Sequence, residues 1–190
     1  MIVRGSRDAT MTDETVVAVV LLRDDGAALL QLRDEKPGLR HAGMWVMPGG
    51  HREGAESLEE TGRREFLEET GYRCQALHWL LCFNNDHDLG WPAYQLAVFW
   101  ARYDGVQSIE CHEGQALEFV ERTKADSLPM PDYLIKIWDA AIVSAHPPHY
   151  KPSQHLGDCA FRIADCELAR WKKSAIRNSK SAMRKFWDEF

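Results

Sequence analysis

The sequence predicts one α/β domain, and three observations carry that prediction. Strand-like apolar runs recur between Val16 and Val120, helical patterns occupy 57–70 and 131–145, and 190 residues suffice for one sizeable core but not two full ones. The composition agrees, since 45% hydrophobic and 27% charged residues are ordinary for a soluble globular chain.

Residues 1–13 are polar and patternless and read as a loose tail. "TVVAVVLLRDDGAALLQLRD" then reads as two strands joined at Asp25-Gly26, an acidic-glycine hairpin turn. The run Val16 to Leu22 is apolar, which suits a strand buried on both faces. "EKPGLRHAG" is a loop by its proline and glycines, and "MWVM" is a short strand stopped by Pro48-Gly49-Gly50. From Ser57 to Thr70 the pattern is helical, with Leu58, Phe66 and Leu67 as apolar contacts, Ser57 or Glu56 as the cap at its start, and Gly71 at its end.

"CQALHWLLCF" and "AYQLAVFWARY" are strand-like, separated by the polar loop "NNDHDLGWP"; "ALEFV" is a further short strand. "PDYLIKIWDAAIVSA" opens with proline at a first helical position and sets Leu134, Ile137, Trp138 and Ala141 along one face. The prolines of "HPPHYKPSQ" mark a linker. Beyond it Leu168, Trp171, Ala175, Ala182, Met183, Phe186 and Phe190 recur at roughly helical spacing, so 146–190 reads as a linker and a helical C-terminal extension. Its simplest use is packing on the body or on a second copy in a homodimer; a basic amphipathic helix on a membrane or acidic partner is the alternative.

Charge and cysteine usage exclude several classes. Residues 151–190 hold nine Lys or Arg against five Asp or Glu, so with a total of −6 the first 150 residues carry −10. Such a body repels a phosphate backbone, and no nucleic-acid polymer is expected as a partner. No run reaches the length of a membrane helix and the N-terminus lacks a signal peptide's apolar core, so no membrane partner is expected. Five scattered cysteines without a C-x-x-C pair indicate reduced thiols in a cytoplasmic protein, each by default a small buried hydrophobe.

The stretch "GGHREGAESLEETGRREFLEETGY" sets seven glutamates among three arginines. On a helix Glu65, Glu68 and Glu69 share one face, and their mutual repulsion calls for a bound cation. Glu56 precedes the helix and can fold back toward the same spot, while the Pro-Gly-Gly turn removes side chains where a backbone carbonyl can approach a ligand. Carboxylates and carbonyls are hard donors suited to Mg²⁺ or Mn²⁺ rather than zinc or copper. A plain solvated helix is the competing reading, with Glu59/Arg63 and Glu60/Arg64 as ordinary i, i+4 pairs.

The full spacing decides between them. Gly50, five residues, Glu56, seven residues and "REFLEETGY" resemble the Nudix box, G-x5-E-x7-R-E-U-x-E-E-x-G-U with U bulky and apolar. Gly50, Glu56, Arg64, Glu65, Glu68, Glu69 and Gly71 fill every fixed letter, a coincidence on the order of one in 10⁸ per starting position. The U positions hold Phe66 and Tyr72 in place of aliphatics. The resemblance covers about residues 14–145 and implies an α/β/α sandwich around a mixed sheet. It also implies metal-dependent hydrolysis of a nucleoside diphosphate linked to a further group. By position it implies Glu65, Glu68, Glu69 and the Gly49 carbonyl as metal ligands. It further implies Arg64 as the orienting ion-pair partner and Glu56 as a support of the loop or of the metal shell, with Gly50 and Glu56 taken as substrate-binding positions.

Outside the box, "HEGQALEF" resembles the "EGQ" loop of MutT-type members, which implies Glu113 as a further metal ligand. The general base is left between Glu113 and a helix glutamate such as Glu65. "LPMPDYLIK" resembles the segment entering the last helix of that group, placing Asp132 where a purine edge is read, and Arg33 falls where an arginine borders the nucleotide. A helix-start acid and a strand-end arginine are the plain alternatives. Trp91 or Tyr94 can stack on a base, or serve the core. The expected partner is thus a nucleotide-type small molecule, in the MutT manner a nucleoside triphosphate cut to monophosphate and pyrophosphate. Nucleotide sugars, ADP-ribose, dinucleoside polyphosphates and coenzyme A stay open, as does a non-catalytic nucleotide sensor.

Overall fold

The computed structural model describes residues 14–85 and 90–146; the loose tail expected over 1–13 and the extension after His146 lie outside the described residues. The strands are β1 (Thr15–Leu22), β2 (Ala28–Leu32), β3 (Trp45–Val46), β4 (Gly49–His51), β5 (His78–Asn85), β6 (Tyr94–Arg102) and β7 (Ala116–Val120). Helix α1 spans Leu58–Thr70 and α2 spans Asp132–Ala145, with a 3₁₀ turn at Arg122–Ser127 before α2.

The sheet is built around β1. Strand β6 lies parallel along its whole length, from Thr15↔Gln95 to Leu22↔Arg102, and β5 pairs antiparallel on the outer edge of β6. The opposite edge of β1 is shared: β4 takes Val16 to Ala18, and β2 meets it only at Leu22↔Ala28. Strand β2 then departs to pair with β3 and, over five residues, with β7. Parallel and antiparallel pairs coexist, so the sheet is mixed.

Two expectations are corrected here. The turn at Asp25-Gly26 forms, with the Gly26 N–H on the Arg23 carbonyl at 3.0 Å, but the hairpin it closes is a single residue pair deep. The cause is β4: Gly49–His51, read as a stop, forms a strand that occupies the rest of that edge. Strand β5 also starts at His78, four residues later than Cys74.

Alternation along β1 produces the layers. Ala18, Val20 and Leu22 join Leu134, Ile137 and Trp138 of α2 in one core, whereas Val19 and Leu21 pack with Phe66 of α1, and Val17 with Leu58. Successive strand residues face opposite sides, so one strand serves both helices, and an α/β/α sandwich results. Gly62 explains how closely α1 sits: a β-carbon there would stand 3.2 Å from a Val17 methyl. Phe66 is fully buried, and its truncation to alanine would cost about 3–5 kcal/mol.

Helix α1 begins at Ser57 through a capping box. The Glu60 N–H bonds Ser57 Oγ at 3.2 Å, and the Ser57 N–H bonds Glu60 Oε2 at 2.7 Å. It ends at Gly71, whose φ of 66° suits a residue without a β-carbon. Pro131 is the cap of α2, so Asp132, one residue later than expected, opens that helix. Among the described residues no helix is long and apolar enough to cross a membrane. Cys74 is buried, but Cys111 is exposed, against its default role as a core residue.

Candidate functional site

Arg64 organises the acidic face of α1. Its Nε and Nη2 bind both oxygens of Glu56 at 2.8 and 3.0 Å, and Nη1 reaches Glu65 Oε1 at 2.9 Å and Glu68 Oε2 at 3.2 Å. Nη2 also donates to the His51 carbonyl at 3.1 Å, tying the helix to β4. The expected Glu59/Arg63 pair forms at 2.8 Å. The Glu60/Arg64 pairing is replaced, because Glu60 completes the capping box and Arg64 turns to the other carboxylates. The guanidinium hydrogen bond holds the Glu56 carboxyl down at about 2, so it is ionised at any neutral pH.

Glu69 has a different setting. It is buried, and its Oε2 accepts the Gly49 N–H at 2.8 Å. Burial pushes its carboxyl up to about 7; the Gly49 N–H and Arg33 oppose the shift, while Glu113 and Glu65 add to it. Glu113 thus lies in the electrostatic reach of the helix glutamates although it is 44 positions beyond Glu69. The loop that carries it is docked by its neighbours. The Gln115 N–H bonds the Leu32 carbonyl at 2.7 Å, Gln115 Nε2 bonds the Arg33 carbonyl at 2.7 Å, and a β-carbon on Gly114 would come within 2.5 Å of the Leu32 carbonyl oxygen.

The same segment caps α1. The His112 N–H donates to the Glu69 carbonyl at 3.0 Å, the Glu110 N–H to the Thr70 carbonyl at 2.9 Å, and His112 Nδ1 pairs with the Glu68 carbonyl at 2.9 Å. Carbonyls that a helix end leaves unpaired are therefore satisfied by the loop that delivers Glu113. The bond to Glu110 raises the His112 pKa, as does the Glu68 carbonyl, which suits a cation at the negative end of a helix.

A cavity of about 610 Å³ opens beside these groups. Gly49, Gly50, Glu65, Glu69, Glu113 and Arg33 line it, and Arg33 holds its Nε buried without a hydrogen-bond partner. Arg64, Glu56, Glu68 and Asp132 are not among the lining residues; Asp132 is exposed at the start of α2, while its neighbours Tyr133 and Leu134 face the cavity. Sequence reasoning missed Arg40, His41 and Glu53 on the wall, and Trp91 and Tyr94, read as stacking or core residues, both line it.

The donor set fits a hard divalent cation in chemistry. Gly50 leaves the space that the Glu65 carboxylate fills, for a β-carbon there would stand closer than 3.0 Å to it. Among the described residues no three His, Cys, Asp or Glu side chains are drawn together as a ready ligand group. The physical reason is that Glu65 and Glu68 lean on Arg64 and Glu69 on the Gly49 N–H. A cation would compete with those bonds for carboxylates already assembled on one helix face.

The NUDIX domain profile matches residues 12–139. The m7GpppN-mRNA hydrolase NUDT17 of Xenopus laevis is 41% identical over 64 residues, covering 34% of this chain and 22% of that protein. A Caenorhabditis elegans protein named as a nudix hydrolase is 39% identical over 67 residues, covering 34% of this chain and 18% of its own length. The chain thus spans about a fifth of the curated relatives it matches. The crystal structure of a MutT protein from Methanosarcina mazei superimposes with a TM-score of 0.58 at 24% identity, covering 69% of this chain and 94% of that one, a likeness of fold. With the profile matched over most of its length, the chain belongs to the NUDIX domain family.

Proposed function

We propose that this protein is a divalent-metal-dependent pyrophosphohydrolase. Its substrate is a nucleoside diphosphate linked to a further group, in the first instance a nucleoside triphosphate cut to monophosphate and pyrophosphate. The observation that carries the reading is the meeting of Glu65, Glu69 and Glu113, from two distant segments, on one cavity beside Gly49-Gly50. Glu65, Glu68, Glu69, Glu113 and the Gly49 carbonyl would hold Mg²⁺, with Mn²⁺ as a substitute. The metal supplies charge neutralisation for the phosphates and a lowered pKa for the attacking water.

The chain's own residues do the rest. Glu113 or Glu65 accepts a proton from water, whose oxygen forms the new bond to one phosphorus of the bridge as the bridging P–O bond breaks and its electron pair leaves with the other product, pyrophosphate or the nucleoside monophosphate. Arg64 fixes Glu56, Glu65 and Glu68 so that little reorganisation is needed during reaction. Arg33 borders the phosphates, and its buried Nε supports that role. Asp132 as a reader of the base edge rests on its position in sequence, since Tyr133 and Leu134 are the cavity residues there. A nucleotide-type small molecule is the partner, without nucleic-acid polymer or membrane, in the cytoplasm, with a homodimer through the C-terminal extension as a further proposal.

The test is product release with Mg²⁺ from canonical and oxidised nucleoside triphosphates, nucleotide sugars, ADP-ribose, dinucleoside polyphosphates and coenzyme A. Pyrophosphate from a triphosphate class supports the proposal. Turnover confined to another pyrophosphate keeps the metal site and discards the triphosphate. Tight nucleotide binding without turnover makes the protein a sensor and overturns the enzymatic reading.

A further inference from the structure

The loop that delivers Glu113 is anchored on both sides of that residue. The His112 N–H donates to the Glu69 carbonyl at 3.0 Å and the Gln115 N–H to the Leu32 carbonyl at 2.7 Å, so α1 holds one side and β2 the other. Between these anchors lies the peptide that joins Glu113 to Gly114. Gly114 has a φ of 79°, and glycine accepts either sign of φ, so the chain by itself leaves that peptide plane free to turn over. A turned peptide would carry the Glu113 side chain with it.

Gln31 holds this peptide from 82 positions away, its Nε2 donating to the Glu113 carbonyl at 3.2 Å. The exposed Cys111 thiol reaches the same carbonyl, also at 3.2 Å, but a thiol is a weak donor. Gln31 is 1% exposed, and the β2 residues before it, Ala28, Leu29 and Leu30, are buried and apolar. Its backbone is flanked by Val46 of β3 and Leu117 of β7. Its side chain shares a face with Leu29, the face that packs with Phe66 of α1. An amide buried there loses its hydration, a cost that an apolar residue of similar volume would avoid. Strand pairing on both sides of β2 uses main-chain groups, so the sheet does not call for an amide. The group it serves is the Glu113 carbonyl.

We infer that Gln31 is a positioning residue. Its buried amide locks the Glu113–Gly114 peptide and thereby aims the Glu113 carboxylate at the cavity that Glu65 and Glu69 also line. The inference rests on the proposed function for one step, Glu113 as a metal ligand, and on geometry for the hold on the loop. Partners that orient a metal ligand in this way are worth on the order of tenfold in metal affinity.

The experiment pairs two measurements on the full chain, neither of which needs turnover. Amide hydrogen exchange in metal-free buffer reads the loop, and calorimetric titration with Mg²⁺ alone reads the site. Gln31→Met keeps an unbranched side chain of similar length and removes the donor. It should speed exchange at the His112 and Gln115 amides about tenfold, leave α1 and β6 unchanged, and lower Mg²⁺ affinity about tenfold. In a Glu113→Gln background the same substitution should change Mg²⁺ affinity less than about twofold, because Gln31 acts through that carboxylate. Gln31→Leu serves the same cycle if the methionine variant does not fold. Faster exchange throughout the protein, with the same loss of affinity whether or not Glu113 is present, is a merely structural role and overturns the inference. So does wild-type Mg²⁺ affinity in Gln31→Met. Coupling between Gln31 and Glu113 in a protein that hydrolyses no pyrophosphate would sink the enzymatic proposal and leave this one standing; turnover without that coupling would do the reverse.

Discussion

Glu69 Oε2 accepts the Gly49 N–H at 2.8 Å, so a buried carboxylate of α1 is pinned to the strand that edges the central β1. That bond only partly offsets the cost of burial, which holds the carboxyl up near 7. As a proposed Mg²⁺ ligand Glu69 must be ionised, so Mg²⁺ affinity should fall about tenfold per pH unit below about 7. Calorimetric titration of Mg²⁺ from acid to mildly alkaline pH checks the slope. Glu69→Gln should bind more weakly and show a flat profile.

The same group sets a pH trend in the metal-free protein. Its native pKa of about 7 exceeds the ordinary 4.5, so the stability it contributes is full below 4.5 and is lost as pH rises through 7, on the order of 3 kcal/mol. Glu56 works in the opposite sense, since its pKa is lowered to about 2: its contribution is present above 4.5 and disappears as pH falls through 2. Urea denaturation without metal should therefore give greatest stability near pH 4 to 5 from these two groups, and Glu69→Gln should remove the decline toward pH 7.

Gly49 and Gly50 should fail differently when replaced. A β-carbon on Gly49, at φ 151°, would meet the Val17 carbonyl oxygen closer than 3.0 Å, and backbone cannot yield. Gly49→Ala should lower stability by about 2–4 kcal/mol, read as a fall in Tm. A β-carbon on Gly50 meets the flexible end of Glu65 instead. Gly50→Ala should keep nearly the wild-type Tm and lose on the order of 10²-fold in kcat, by displacing a proposed ligand.

Arg64→Ala frees Glu56, Glu65 and Glu68 together, leaving three carboxylates without their shared cation. The pairs are partly solvated, so the cost should be modest, about 1–3 kcal/mol, and smaller in the presence of Mg²⁺. Glu68→Gln, at an exposed carboxylate, should leave Tm unchanged and reduce turnover by about 10²- to 10³-fold. Wild-type turnover of Glu68→Gln at saturating Mg²⁺ would remove Glu68 from the metal site.

The glutamate face was legible because helical periodicity turns spacing directly into geometry, and Ser57, Glu60 and Gly71 mark the ends of that helix by local chemistry. Strand β4 was not legible, since Gly49-Gly50 has no side chains to signal a strand; its pairing with Val16 to Ala18 is made by the backbone alone. That pairing also shortened the expected hairpin. Arg40 and Pro92 meet across 52 positions of sequence, from two loops, and no local pattern encodes such a meeting. The position of Asp132 in the first turn of α2 was readable, but whether its side chain faces the cavity depends on helix phase set by α2 packing against the sheet.

Strand β1 has both edges paired and both faces covered, whereas Arg40 and Trp91 come from loops outside the sheet ladder. Natural variation can therefore rewrite the cavity wall at Arg40 and Trp91 without touching the strand pairing around β1. Under the proposed function, a descendant could change what it accepts while inheriting the same reaction, and selection would meet the two properties as separate traits.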